Sequence, residues 1–453
     1  MNQLKTLAGE ASEPQSLQGS ATTIRAWAIV VLLAIIFAVA MIDRVILSMM
    51  ITPIKADLQL SDTAFGLAQG AAVALFYILF AFPFGWASDR YDRRAVMFFG
   101  MTVWSLASAA CAFVRNFAEL FAARCLIGAG EAVLGPAGYP MIASLVSRQR
   151  LALAMMIFYL GGTCGNALGQ FVGGSLLTAL SRNDTVDVWL IGELSPWRTV
   201  FLLTGLPGVA LAALIFLAPR ERRPALVSAP TAKVDVRSFR AFFSRHKRFY
   251  LTHNIGIGLQ QAALVGAILW NAAFMARTYH WSASQIGLTF GTILLTTSAL
   301  AVVGHSWITT RLFIAGRKDI HLRWQLAMSC LCLPALALAY LWPSPLAACF
   351  GFGLANLFAG GAIVVGPTVL QIATPHAFRG RASAIYVVIA TLLGTAVGPT
   401  AIGFVTDHVL RDEQRVGVAM AASCIVFCLG AAIAFALGLA ATRRIVAEST
   451  AAD

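Results

Sequence analysis

Of the 453 residues, 59% are hydrophobic and only 12% charged, with a mean hydropathy of +0.77. A soluble globular domain carries about a quarter of its residues as charges, so that class is excluded. The net charge of +13 does not point to nucleic acid, because the basic residues sit in short connections between apolar runs, where membrane topology accounts for them.

A bilayer core about 30 Å thick takes about 20 apolar helical residues per crossing, and runs of that length recur along the chain. Residues 1–25 read as a polar cytoplasmic tail, and the first apolar run reads as a crossing, not a cleavable leader. The pattern predicts helices over 26–51, 64–86, 95–114, 118–142, 152–180 and 198–218. A polar linker over 219–248 follows, then helices over 249–276, 284–310, 322–342, 345–373, 382–406 and 416–441, and a tail over 442–453. The expected fold is an all-α integral membrane protein with twelve transmembrane helices in two six-helix bundles, 26–218 and 249–441.

Alternate connections are basic: Arg90/Arg93/Arg94, Arg148/Arg150, nine Lys and Arg residues from Arg220 to Arg248, Arg311/Arg317/Lys318, Arg379/Arg381 and Arg443/Arg444. The opposite set carries Asp57 and Asp62, then Asp184, Asp187 and Glu193, then Asp412 and Glu413. The positive-inside rule then puts both termini in the cytoplasm. In the linker, Phe239, Phe242, Phe243 and Phe249 alternate with basic residues, which reads either as an amphipathic helix on anionic lipid or as a solvated basic loop.

The two halves share a repeat. Arg148 aligns with Arg381, Gly161 with Gly394, Gly165 with Gly398, and Gly130 to Pro136 with Gly361 to Pro367. A doubled six-helix unit is the pattern of a carrier whose site lies between its halves near mid-membrane. Gly161, Gly165, Gly169 and Gly173, spaced by four, and Gly394 and Gly398 form small-residue faces, suited to static packing or to helices sliding past each other. In register, Arg124 and Glu131 face Ala355 and Ala362, so the ionisable groups are concentrated in the first half.

Charges at membrane depth cost about 2.5 kcal/mol or more each and face a cavity or a partner. Asp43 and Arg44 lie in the first run, and Arg124 and Glu131 lie seven residues apart on one stripe of the fourth. If both helices line a cavity, Asp43 reaches Arg124, and protonating a carboxylate frees an arginine for an anion. The alternative is a fixed ion-pair network that holds the two helices together. Tyr159, Asn166, Gln170, Gln260, Gln261, Asn271, Asn356 and Tyr386 read as packing hydrogen-bond groups.

The segment from Gly85 through Asp89, Arg90, Asp92, Arg93 and Arg94 resembles the signature loop of the major facilitator superfamily, and its counterpart from Gly304 to Arg311 lacks the aspartate. Further stretches are similar to the spinster branch of that superfamily: Asp43-Arg44, Leu60 to Leu67, Ser88 to Arg94, Arg124 to Ala132, and Trp197-Arg198 with Gly205 to Gly208. That resemblance implies a proton-linked carrier of sphingolipid or lysophospholipid type, with Asp43, Arg44 and Glu131 as polar cavity residues. It also implies a cytoplasmic gate built from Gly85, Asp89, Arg90, Arg93 and Arg94. Asp89 is expected either to latch onto the start of the eleventh run near Arg381, where a helix N-terminus favours an anion, or to pair with Arg93 or Arg94 in its own loop.

The preference for Arg over Lys and the short loops point to a bacterial inner membrane protein. No HExxH, GxxxxGK[ST] or GxSxG is present, so no catalytic residues and no ATP site are expected, and the energy source is a proton gradient. The eight cysteines all lie in apolar runs without CxxC spacing, and no metal or cofactor is expected. The expected partners are a small-molecule substrate, including a lipid, and the membrane itself. The chain reads as a monomer. An organic-anion symporter or a multidrug exporter of the same superfamily fits the same charges.

Overall fold

Apolar runs in lipid satisfy their backbone only by closing into helices, and this chain does so almost throughout. The computed structural model describes residues 20–147, 150–189, 191–220, 236–375 and 378–452. Ten helices among the described residues are long and apolar enough to cross a membrane. Arg148 and linker residues 221–235 lie outside the described residues.

The first half comprises α1 (Ser20–Met49), α2 (Asp62–Arg90), α3 (Arg93–Ala110), α4 (Phe117–Glu131), α5 (Leu151–Leu180) and α6 (Pro196–Ala213). Of the two readings of the linker, its described part takes the helical one, α7 (Val236–Arg245). The second half comprises α8 (Lys247–Tyr279), α9 (Ala283–Ile314), α10 (Ile320–Leu341), α11 (Pro345–Ala373), α12 (Arg379–Leu410) and α13 (Val416–Ala452). A small antiparallel hairpin, Val186–Val188 with Gly192–Leu194, joins α5 to α6.

Several boundaries differ from expectation. Helix α1 begins at Ser20, inside the expected tail, and α13 runs to Ala452, where Arg443 near its end is tied to Asp319 at 2.7 Å. The fourth run is not one helix. It breaks after Glu131, passes through a wide turn at Leu134–Gly138 that contains Pro136, and resumes at Tyr139–Leu145. Proline there removes an N–H from the ladder, and the chain absorbs the loss as a π-turn.

The sequence repeat is visible in the packing. In the first half α1 lies along α5, α2 along α4 and α3 along α6; in the second, α8 lies along α12, α9 along α11 and α10 along α13. Gly161, Gly165 and Gly169 face Ala34, Ala38 and Ile42 of α1, and Gly394 and Gly398 face Gln261 and Ala262 of α8. These small-residue faces therefore pack helices inside one half. The close approach between halves uses a different set: Gly174 meets Ala283, Gly287 meets Gln170, Gly66 meets Pro399, Gly70 meets Thr395 and Gly403 meets Asp62.

The two ends of the molecule differ. At the end bearing Asp62, residues of both halves, including Met50, Phe65, Trp270 and Ile402, share one hydrophobic core. Toward the linker end each half keeps a core of its own, around Met97 and Phe158 in the first and around Tyr250 and Val369 in the second.

A polar clamp reinforces the shared end. Asp62 is fully buried, is paired with Lys55 of its own half, and accepts two hydrogen bonds from Arg277 of the other half at 2.7 and 2.8 Å. Lys55 reaches across to Glu413 at 2.8 Å. Asp407 of α12 accepts from the backbone N–H groups of Asp62 and Thr63 at 3.2 and 2.6 Å, so it caps the start of α2 from the opposite half.

Helix α7 places Phe239 and Phe242 against Phe378, and Phe243 against Tyr250. Its aromatic residues thus face the second half. Arg381 lies over the ring of Phe239 at 5.5 Å.

Candidate functional site

Consecutive residues on a helix point about 100° apart, so Asp43 and Arg44 of α1 face different neighbours. Arg44 Nε donates to Glu131 Oε2 at 2.6 Å, and its Nη2 forms an ion pair with the same oxygen. Asp43 turns instead toward α3, where its Oδ1 accepts from Ser108 Oγ at 3.3 Å. The expected reach of Asp43 to Arg124 is therefore corrected: the short carboxylate is used by the serine, and the long arginine of α1 spans to α4.

Burial sharpens this arrangement. Glu131 and Arg124 are fully buried, while a quarter of the Arg44 side chain is exposed. Glu131 Oε1, Asp43 Oδ2 and all three guanidinium nitrogens of Arg124 have no hydrogen-bond partner among the described residues. A buried charge without such partners is expensive, so a cluster of this kind points to function more than to stability. Helix α4 can sit this deep because Gly128 lies against the backbone of Val73 and Gly130 against Gly100 and Trp104. Side chains at those two positions would push α4 off α2 and α3.

Sequence reasoning missed Tyr77 and Tyr139 near the pair and read Tyr159 as a packing group. Arg44 lies over the ring of Tyr77 at 5.7 Å. Nearby, Tyr159 donates to the Tyr139 hydroxyl at 3.1 Å, and Phe37 stacks on Phe158 at 4.8 Å. Tyr139 and Tyr159 are 40% and 44% exposed, large for tyrosines in a protein core. An aromatic at helical spacing gives no sign of facing a hollow, so Tyr77 and Tyr139 carried no signal of their own.

The remaining polar groups serve packing. Asn166 donates to Gly162 O, Gln325 donates to Gln260, Tyr340 donates to Asn271, and Asn356 donates to Thr297 and Ser298. Gln170 donates to Ile268 O across the seam between halves at 3.5 Å.

The signature loop caps the linker end of the first half. Arg94 donates to Asp92 at 2.7 Å and to Ala218 O at 3.1 Å, which ties α3 to the end of the sixth run. The hydrogen bond from Arg94 holds the Asp92 carboxyl below its ordinary range. Ser88 donates to Pro136 O at 2.9 Å, and Arg90 lies over Trp86 at 4.4 Å. Asp89 is exposed, and Gly85 has open space where a Cβ would stand.

The family model of the Major Facilitator Superfamily matches residues 33–273. The chain belongs to the major facilitator superfamily. Its members are transporters, and its curated relatives include an MFS-type efflux pump of Mycolicibacterium smegmatis, 28% identical over 438 residues that cover 94% of this chain and 95% of the relative. Human protein spinster homolog 3 is 27% identical over 382 residues, covering 79% of this chain and 70% of the relative. Among solved structures, a bacterial homolog of the human lysosomal transporter spinster, inward-facing and unoccupied, has a TM-score of 0.76 at 20% identity and covers 94% of this chain and 98% of its own. A D-xylose-proton symporter has a TM-score of 0.63 at 18% identity, over 89% of this chain and 96% of its own. The major facilitator fold and the resemblance to spinster proteins thus agree with the motif reading.

Proposed function

We propose that the chain is a proton-coupled secondary transporter that works by alternating access on an amphipathic anionic substrate of lysolipid or sphingolipid type. The observation that carries this reading is the Arg44–Glu131 pair, a buried carboxylate bonded to an arginine that is itself partly exposed. Deprotonated Glu131 holds Arg44. Protonation neutralises Glu131 and frees the Arg44 guanidinium for the anionic group of a substrate, with Tyr77 and the Tyr139–Tyr159 pair as an apolar, hydrogen-bonding wall. Arg124 and Asp43 form the second layer of the same cavity.

On this reading α4 with its continuation to Leu145, together with α5, completes twelve crossings. Both termini, α7 and the signature loop lie on the cytoplasmic side of a bacterial inner membrane. The shared core and the clamp at Asp62 then close the external side, and the conformation is inward-open. The chain acts as a monomer without a resident metal or cofactor. Asp89 latches onto the start of α12 near Arg381 only when the cytoplasmic side closes.

The efflux-pump relative favours a second reading, export of amphipathic drugs through the same cavity. Competition among lysolipids, carboxylates and cationic drugs for uptake separates the two. The decisive experiment is transport in proteoliposomes under an imposed pH gradient. Glu131→Gln is expected to fold normally and to reduce gradient-driven transport at least about tenfold, a loss of about 1.4 kcal/mol or more in coupling. A fully pH-dependent Glu131→Gln carrier overturns the assignment.

A further inference from the structure

Away from the site between the halves, a cavity of about 130 Å³ lies where α7, the start of α8 and the end of α13 meet. Arg245, Arg248 and Arg444 line it together with His246 and Phe249. Arg248 is fixed in place, since its Nε donates to Leu437 O at 3.0 Å. Arg245 and Arg444 have no ion pair among the described residues, whereas the adjacent Arg443 is engaged by Asp319 at 2.7 Å.

The carboxylate at hand is Glu448, 3.6 Å from His246 Nε2. Three guanidinium groups against that one carboxylate leave two positive charges in excess (3 − 1 = 2). The excess is felt locally: burial, aided by Arg245 and Arg444, holds His246 below the ordinary histidine range despite Glu448.

An apolar track leads into this cavity. Leu429, Ile433 and Leu437 stand on α13 at a spacing of four and are 44%, 61% and 54% exposed. They form one stripe that runs along the helix to the arginines. A free anion has no use for such a stripe, but an acyl chain does.

We propose that this cavity binds the phosphate headgroup of an anionic membrane lipid, with its acyl chains along the Leu429, Ile433 and Leu437 face of α13. Guanidinium groups bind phosphate oxygens through paired hydrogen bonds, and basic pockets at the cytoplasmic ends of membrane helices are suited to such headgroups. The ligand bridges the linker helix and both ends of the second half's helical chain, so it anchors the linker to the second half.

The test is native mass spectrometry of the full chain in neutral detergent with phosphatidylglycerol, with phosphatidylcholine of the same acyl chains, and with inorganic phosphate. The expected result is retention of phosphatidylglycerol alone, weakened by added salt in the unmodified protein. Each of Arg245→Gln and Arg444→Gln is expected to weaken it about fivefold, and Arg115→Gln at the opposite end not at all. Equal retention of phosphatidylcholine, indifference to salt, or arginine variants that bind like the unmodified chain each overturn the proposal. Inorganic phosphate that displaces the lipid at equal concentration overturns the assignment to a lipid and leaves a free-anion site.

Discussion

The two halves pair their helices in the same pattern, yet they fill that pattern with different chemistry. The first half buries Asp43, Arg124 and Glu131, with Arg44 at the edge. In register the second half has Ala355 and Ala362, and several of its buried polar groups bond as neutral pairs: Gln325 with Gln260, Tyr340 with Asn271, and Tyr250 with Thr374. His253 is set between the rings of Phe249 and Tyr386, at 5.5 and 5.9 Å. At these matched positions, charge is kept in the first half alone. On the function proposed above, a site between the halves needs only one half to change its protonation while the other serves as a wall.

The seam at Asp62 puts this contrast under most strain, because there the second half answers charge with charge. Asp62→Asn removes the carboxylate from between Lys55 and Arg277, whose side chains are only 7% and 9% exposed. Breaking a buried pair in this way costs about 3–5 kcal/mol, and Glu413 remains to offset part of it. The expected outcome is a shift toward the conformation closed at the linker end, seen as a shorter spin-label distance between the linker ends of α2 and α12. An unchanged distance distribution shows that the apolar core, not the clamp, holds the seam.

Arg124 offers a cleaner cut within the first half. Arg124→Met replaces a buried guanidinium that has no hydrogen bond by an apolar chain of similar volume. The substitution removes the desolvation cost that this unbonded guanidinium carries. The expected result is a Tm in detergent that is unchanged or raised, together with lost transport. A lower Tm marks Arg124 as structural and removes it from the site.

The smallest effect is expected in the second half. His253→Phe preserves ring stacking and changes stability by less than about 1.5 kcal/mol, with the pH profile of transport unmoved. A shifted profile breaks the comparison, since the second half would then titrate as well.

The helices were legible because lipid demands long apolar runs, and the repeat was legible because Gly130 to Pro136 and Gly361 to Pro367 keep their spacing. The four charges of the site were also plain, as each stands out in an apolar run. Their pairing was not. Whether Arg44 or Arg124 meets Glu131 depends on how α1 is rotated against α4, which no spacing within one helix records. Asp62 and Asp407 looked like ordinary residues near the ends of runs, since their partners Arg277 and Thr63 lie more than 200 and 340 positions away in the chain. The glycine pattern named the kind of contact but not the partner surface: Gly161, Gly165 and Gly169 pack inside one half, while the seam uses Gly66, Gly70, Gly174, Gly287 and Gly403, drawn from four helices.

That seam has an electrical consequence. Where Gly174 meets Ala283 and Gly70 meets Thr395, backbone lies against backbone. Such a contact leaves a water chain no room. On the reading proposed above, the seam acts as an insulator: while Glu131 exchanges protons with one compartment, the other is sealed off, and the gradient that drives the carrier is not short-circuited through it.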